Sequence, residues 1–141
     1  MQRIILDTNV VVSALIQKNY PYLIVEYCLE GNATLCISSP ILQEYIEGLS
    51  RPKFSKFPDF KKNAEFFLTC LSEIAEIHEP KIELSYIQDE PDNRFLELAE
   101  ATKADFIITG NTTDFTMRTY KKTKIVSPKA FWEDYNNVSS I

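Results

Sequence analysis

Short, uninterrupted apolar runs alternate with segments of helical period along this chain, and that alternation limits its fold more than any other feature. Ile4-Ile5-Leu6, Leu35-Cys36-Ile37, Phe106-Ile107-Ile108 and Ile125-Val126 each read as a strand that is apolar on both faces. A strand with one solvated face alternates apolar and polar residues, whereas a strand covered by helices on both sides does not. Helices are expected over 40–49, 60–75, 92–103 and 128–136. The first of these opens at Ser38-Ser39-Pro40, a capping residue with proline in the first turn. The stretch 50–60, SRPKFSKFPDF, is the expected irregular excursion. The expectation is an α/β fold, a parallel sheet with helices on both sides, in one domain spanning residues 1–141.

A chain of 141 residues with 45% apolar content can bury one hydrophobic core without staples. No apolar run approaches the roughly 20 residues that span a bilayer. Asp7 interrupts the apolar N-terminal run, and no small-residue cleavage site follows, so a cytoplasmic protein is expected. Three widely spaced cysteines, Cys28, Cys36 and Cys70, make no disulfide framework. With one histidine and no C-x-x-C pair, a zinc site of Cys and His is excluded. Three glycines, Gly31, Gly48 and Gly110, build no phosphate-cradling loop. His78, in AEIHEP, reads as a strand-end or surface residue rather than the base of a hydrolase triad.

The net charge of -5 counts against contact with nucleic acid, but its distribution is uneven. Residues 73–100 carry nine acids. Arg51, Lys53, Lys56, Lys61 and Lys62 stand against Asp59 alone in one stretch, and Arg118, Lys121, Lys122, Lys124 and Lys129 occupy another that holds no acid. In the first stretch, Phe54, Phe57 and Phe60 interleave with the lysines. Such rings either stack on bases or pack into the core or a partner, and the second reading is the commoner one.

Two acids fall where a parallel sheet binds ligands, beyond the carboxyl ends of its strands, and two more on helices can converge on the same edge. Asp7 follows the first strand, and Asn111 and Asp114 follow the strand 106–109. Asp7 alone is equally readable as a helix cap. In the 40–49 helix, Ile41, Leu42, Tyr45, Ile46 and Leu49 form one face; at about 100° per residue Glu47 points away from it and Glu44 lies near its border. Asp92 precedes Phe95 and Ala99 at i+3 and i+7, so it falls on the inward stripe of its helix, where an unpaired charge is costly. Its other reading is a first-turn acid favoured by the helix dipole. If the four converge, a hard divalent cation relieves their repulsion, and oxygen-only ligands select magnesium or manganese. Such an ion activates water and stabilises charge on a phosphodiester.

The acids sit in four motifs that resemble, in order, those of the PIN-domain family of nucleases, many of which are toxins of prokaryotic toxin–antitoxin pairs. Ile4-Ile5-Leu6-Asp7-Thr8-Asn9-Val10 resembles the first, and Ser38 to Tyr45, SSPILQEY, the second. Asp89 to Ala99, DEPDNRFLELA, resembles the third, and Ile108 to Phe115, ITGNTTDF, the fourth. The resemblance implies a PIN-like three-layer α/β/α sandwich around a twisted parallel sheet. It implies Asp7, Glu44, Asp92 and Asp114 as catalytic and metal-binding residues, with Asn9, Thr109 and Asn111 supporting them. It further implies Mg2+ or Mn2+, cleavage of RNA, a homodimer, and an antitoxin that blocks the site. Some members carry an acid where this chain has Asn111, which leaves the number of metal ions open. Two other readings stand beside it. A haloacid-dehalogenase-like phosphotransferase also places an aspartate after its first strand but wants a second acid where this chain has Asn9. A catalytically inactive PIN fold would serve only to bind protein.

Overall fold

Six strands form a single sheet in the order β3-β2-β1-β4-β6-β5 in the computed structural model, which describes residues 1–81, 90–110 and 119–136, apart from the side chains of 90–92. The strands are β1 (Arg3–Leu6), β2 (Thr34–Ile37), β3 (Glu76–Ile77), β4 (Phe106–Ile108), β5 (Thr119–Tyr120) and β6 (Thr123–Val126). The four apolar runs of the sequence are β1, β2, β4 and β6, and they make the parallel centre of the sheet. The two edge strands lack such runs. β3 extends the parallel set beside β2, and β5 turns back on β6 as an antiparallel pair. A two-residue strand with one exposed side carries too little apolar pattern to be read from sequence.

The helices are α1 (Thr8–Ile16), α2 (Tyr20–Leu29), α3 (Ser39–Leu49), α4 (Phe60–Ile74), α5 (Glu90–Thr102) and α6 (Pro128–Asp134). Three of them start with the device the sequence shows at Ser38. Asn19 Oδ1 accepts from the Tyr20 N–H, Ser38 Oγ from Ile41 and Ser127 Oγ from Ala130, each with proline in the first turn. A 3-10 turn, Pro52–Phe54, interrupts the connection from α3 to α4. Asp59, in the left-handed region at φ 60°, opens α4.

The sheet is flanked by helices. α5 lies against β1, β2 and β4, burying Phe95, Leu96, Leu98 and Ala99. On the Phe106 side, the Phe106 ring meets Phe131 of α6 edge-on at 5.1 Å, and Tyr27 of α2 meets Phe131 at 5.9 Å. Ile4, Ile5, Leu6, Ile107 and Ile108 are essentially inaccessible, as strands covered on both faces must be. Their burial is the main source of stability, at roughly 25 cal/mol per Å² of apolar surface. Cys28 and Cys36 lie in this core, where burial pushes their thiols up to about 12 and about 11. All three thiols are free. Among the described residues no helix is long and apolar enough to cross a membrane.

Candidate active site

Parallel pairing brings the carboxyl ends of β1 and β4 side by side, and the residue following each strand is polar. Asp7 donates its N–H to the Ile108 carbonyl at 3.0 Å, and Thr109 donates its own to Val126 at 2.9 Å. The two side chains then meet: the Thr109 hydroxyl donates to Asp7 Oδ2 at 2.7 Å, in a position where Asp7 is 7% exposed and Thr109 fully buried.

The same geometry bears on Asp7 as a helix cap. The residue occupies the N-cap of α1, and its carbonyl accepts from Val10 and Val11, yet its side chain makes no capping hydrogen bond. Asn19, Ser38 and Ser127 at the same position of their helices all do. Burying a carboxylate is costly, and a residue serving only as a cap would turn its oxygens to the helix N–H groups.

Glu44 stands on α3, one residue before Tyr45. Ile41, Tyr45, Gly48 and Leu49 are buried on that helix, while Glu44 is half-buried and its Oε2 is shielded from solvent. Glu47 is exposed and accepts a hydrogen bond from Gln43. The expected difference between the two glutamates is therefore observed. Two contacts hold α3 here. The Tyr45 hydroxyl donates to the Leu6 carbonyl at 2.6 Å, tying the residue after Glu44 to the residue before Asp7. One turn on, α3 presses against α1 so closely that a Cβ at Gly48 would lie 2.7 Å from Thr8 Cγ2. Burial pushes the Tyr45 phenol far above its ordinary range, and the negative charges of Asp7 and then Glu44 add to the effect.

Neither contact was anticipated from sequence. The available signal was Gly48 itself, one of three glycines and placed inside a helix, where glycine costs roughly 1 kcal/mol. Glu44 and Gly48 are four residues apart and share a face.

Of the other expected residues, Asn9 is exposed in the first turn of α1. Asp92 falls in the first turn of α5, with Phe95 and Ala99 inward as expected, but its side chain lies outside the described residues. Asn93 and Glu97 of the same helix, which the sequence did not single out, are buried, and Glu97 is paired with Arg94 at 2.6 Å. Asn111 and Asp114 lie outside the described residues. Among the described residues no group of three His, Cys, Asp or Glu side chains is placed to hold a metal ion. His78 ends β3, its N–H bonded to Ile37, and its ring lies against Glu76.

A model of the PIN domain matches residues 3–113, a span that runs from β1 through the third strand of the core and takes in both carboxylates. The chain belongs to the PIN-domain family. The uncharacterized protein MJ1680 of Methanocaldococcus jannaschii is 30% identical over 147 residues, covering 98% of this chain and 94% of that protein. The PIN fold of this chain is also similar to a chain in the crystal structure of VapBC2 from Rickettsia felis bound to a DNA fragment from their promoter. That likeness has a TM-score of 0.57 at 21% identity and covers 89% of this chain and 98% of the other.

Proposed function

We propose that this PIN domain is a metal-dependent endoribonuclease that cleaves single-stranded or looped RNA, and that it is the toxin of a toxin–antitoxin pair. The observation that carries the reading is Asp7, a buried carboxylate that sits at a helix start without capping it and is held by Thr109, while Tyr45 ties α3, the helix that carries Glu44, to the residue before Asp7. Family membership supports phosphodiester chemistry there. In this proposal Asp92 and Asp114 complete the acid set, with Asn9, Thr109 and Asn111 supporting it; the family match ends at residue 113, one short of Asp114.

The donor set fits magnesium or manganese, because every candidate ligand is a hard oxygen. When bound, such an ion activates a water and offsets charge on the phosphate oxygens. The chain's own part is positioning. Thr109 fixes one oxygen of Asp7, so the carboxylate does not turn toward the α1 N–H groups. Tyr45 and Gly48 hold α3, and with it Glu44, against the β1–α1 junction. Water attacks phosphorus, the P–O3′ bond breaks, and the products are a 5′-phosphate and a 3′-hydroxyl. Looped or single-stranded RNA is the substrate class because its backbone is accessible.

The VapBC2 likeness supports an antitoxin as partner; we add a homodimer and a cytoplasmic setting as parts of the same proposal, in which residues 1–141 act as one domain. PIN membership and an exposed Asn9, where the phosphotransferase chemistry wants an acid, favour this reading over the haloacid-dehalogenase one.

The test is cleavage of a mixed-sequence single-stranded RNA with Mn2+, with Mg2+ and with EDTA. Wild type is expected to cleave only with metal, and Asp7→Asn not at all. Cleavage that survives both EDTA and Asp7→Asn overturns the proposal. Absence of cleavage together with melting curves that metal leaves unmoved makes the chain a protein-binding PIN fold instead.

A further inference from the structure

We propose that the connector from Arg51 to Lys62 seats the sugar–phosphate backbone of the RNA strand beside the carboxylate edge, by charge and without stacking on bases. The inference rests on the nuclease reading above and says how the substrate strand is held. Arg51, Lys53, Lys56, Lys61 and Lys62 are all exposed, with Asp59 as the only acid among them. The rest of the chain is strongly acidic, so its field repels nucleic acid except where cations gather.

Position is the second argument. The connector begins three residues after Gly48, whose backbone rests on Thr8, the neighbour of Asp7. Of the other basic stretch, Arg118 lies outside the described residues, and Lys129, in the first turn of α6, follows the carboxyl end of β6. Lys121 and Lys122 form the turn entering β6, at the amino end of the parallel strands, and Lys121 is paired with Glu100. Lys124 lies over the Tyr135 ring.

The third argument concerns the phenylalanines. Phe60 is buried and stacks on Phe54 at 5.1 Å, and Phe54 and Phe57 pack against the core. Lys53 Nζ sits 5.2 Å from the Phe54 ring centre and Lys56 Nζ 5.4 Å from that of Phe57. These rings are committed to packing against the core, with an ammonium beside each of Phe54 and Phe57. The same contacts anchor two of the cations, which reduces the ordering cost of binding. A protein partner would be met by an apolar centre. Among the described residues the exposed large hydrophobics are Met1, Leu23, Ile46, Phe66, Ile74 and Ile77, and none falls within the connector.

Binding of a labelled single-stranded RNA to Asp7→Asn protein, measured across a KCl series without cleavage, tests the proposal. Replacing Lys53, Lys56 and Lys61 by Gln on that background should weaken binding at low salt at least tenfold. It should also lower the log–log salt slope by about two, at roughly 0.7 per phosphate contact on a single strand. Lys103→Gln with Lys122→Gln should leave the slope unchanged. An RNA carrying abasic sites should lose as much affinity as intact RNA when the three lysines are removed. Melting curves check that the exposed substitutions leave the fold intact. An unchanged slope in the triple variant overturns the proposal and gives the surface to a protein partner, while metal-dependent cleavage by wild type would still stand. Lysine-dependent binding without any cleavage would retain this surface and remove the nuclease reading.

Discussion

Glu44 and Glu47 lie three residues apart on α3 and have different surroundings: one is half-buried with Oε2 shielded, the other exposed and bonded to Gln43. Glu44→Gln is therefore expected to abolish cleavage, while Glu47→Gln keeps activity within about twofold, since surface substitutions cost under roughly 0.5 kcal/mol. Single-turnover cleavage rates of the two variants decide it; equal losses would mean that Glu44 has no special position. Asp7 shows the limit of reading one residue in isolation. A residue after a strand and before a helix is a cap by pattern. What distinguishes it is the Thr109 hydroxyl, 102 positions away in sequence.

At the scale of elements, α3 is held to the β1–α1 junction by a hydrogen bond and a close packing contact one turn apart. Tyr45→Phe keeps the ring and strands the buried Leu6 carbonyl, at an expected cost of about 1–3 kcal/mol in denaturant unfolding. Gly48→Ala forces α3 off α1, at about 1–3 kcal/mol. Thr8→Ser removes the clashing methyl, so Gly48→Ala should be largely tolerated on a Thr8→Ser background, a coupling that a double-mutant cycle reads directly. If the two effects simply add, the contact does not set the helix position. Because both contacts flank Glu44, Tyr45→Phe and Gly48→Ala should also weaken manganese binding by the metal-free protein in calorimetric titration. A purely structural role would lower stability and leave that affinity alone.

Across the whole molecule, the end of the sheet opposite the carboxylates is joined by Arg3. Its guanidinium spans β2 to reach Glu76 at 3.1 Å, its Nη1 donates to the Thr102 carbonyl, and its N–H donates to Asp105. The hydrogen bond from His78, and then the charge of Arg3, hold the Glu76 carboxyl below the usual carboxylate range. Between that lowered value and the unfolded one, the unfolded chain binds more protons, so this contribution to stability is present above the unfolded pKa. It is lost as pH falls through the folded value. Arg3 is 43% and Glu76 33% exposed, which limits the worth of the pair to less than about 1 kcal/mol. The melting-temperature gap between wild type and Glu76→Gln should be open at neutral pH and should close through the acid limb. A gap that persists below the carboxylate range would trace to packing rather than charge.

How much of this was legible beforehand follows from where each signal is stored. The four apolar runs determined the parallel centre of the sheet, because strands covered on both faces must be apolar throughout, and this pattern is local. The phase of α3, and with it the contrast between Glu44 and Glu47, followed from helix geometry and a local run of apolar residues. The ring-and-lysine connector left two readings open in sequence, and only packing resolved them, since spacing does not say which face of a ring is covered. The edge strands β3 and β5 are two residues each, too short to carry a period, and form because a neighbouring strand offers its N–H and C=O groups. Tertiary structure alone decided that Asp7 is held by Thr109 and that Tyr45 and Gly48 seat Glu44. Those contacts join residues 39 to 102 positions apart, and a local pattern holds no information about a partner that only folding brings near.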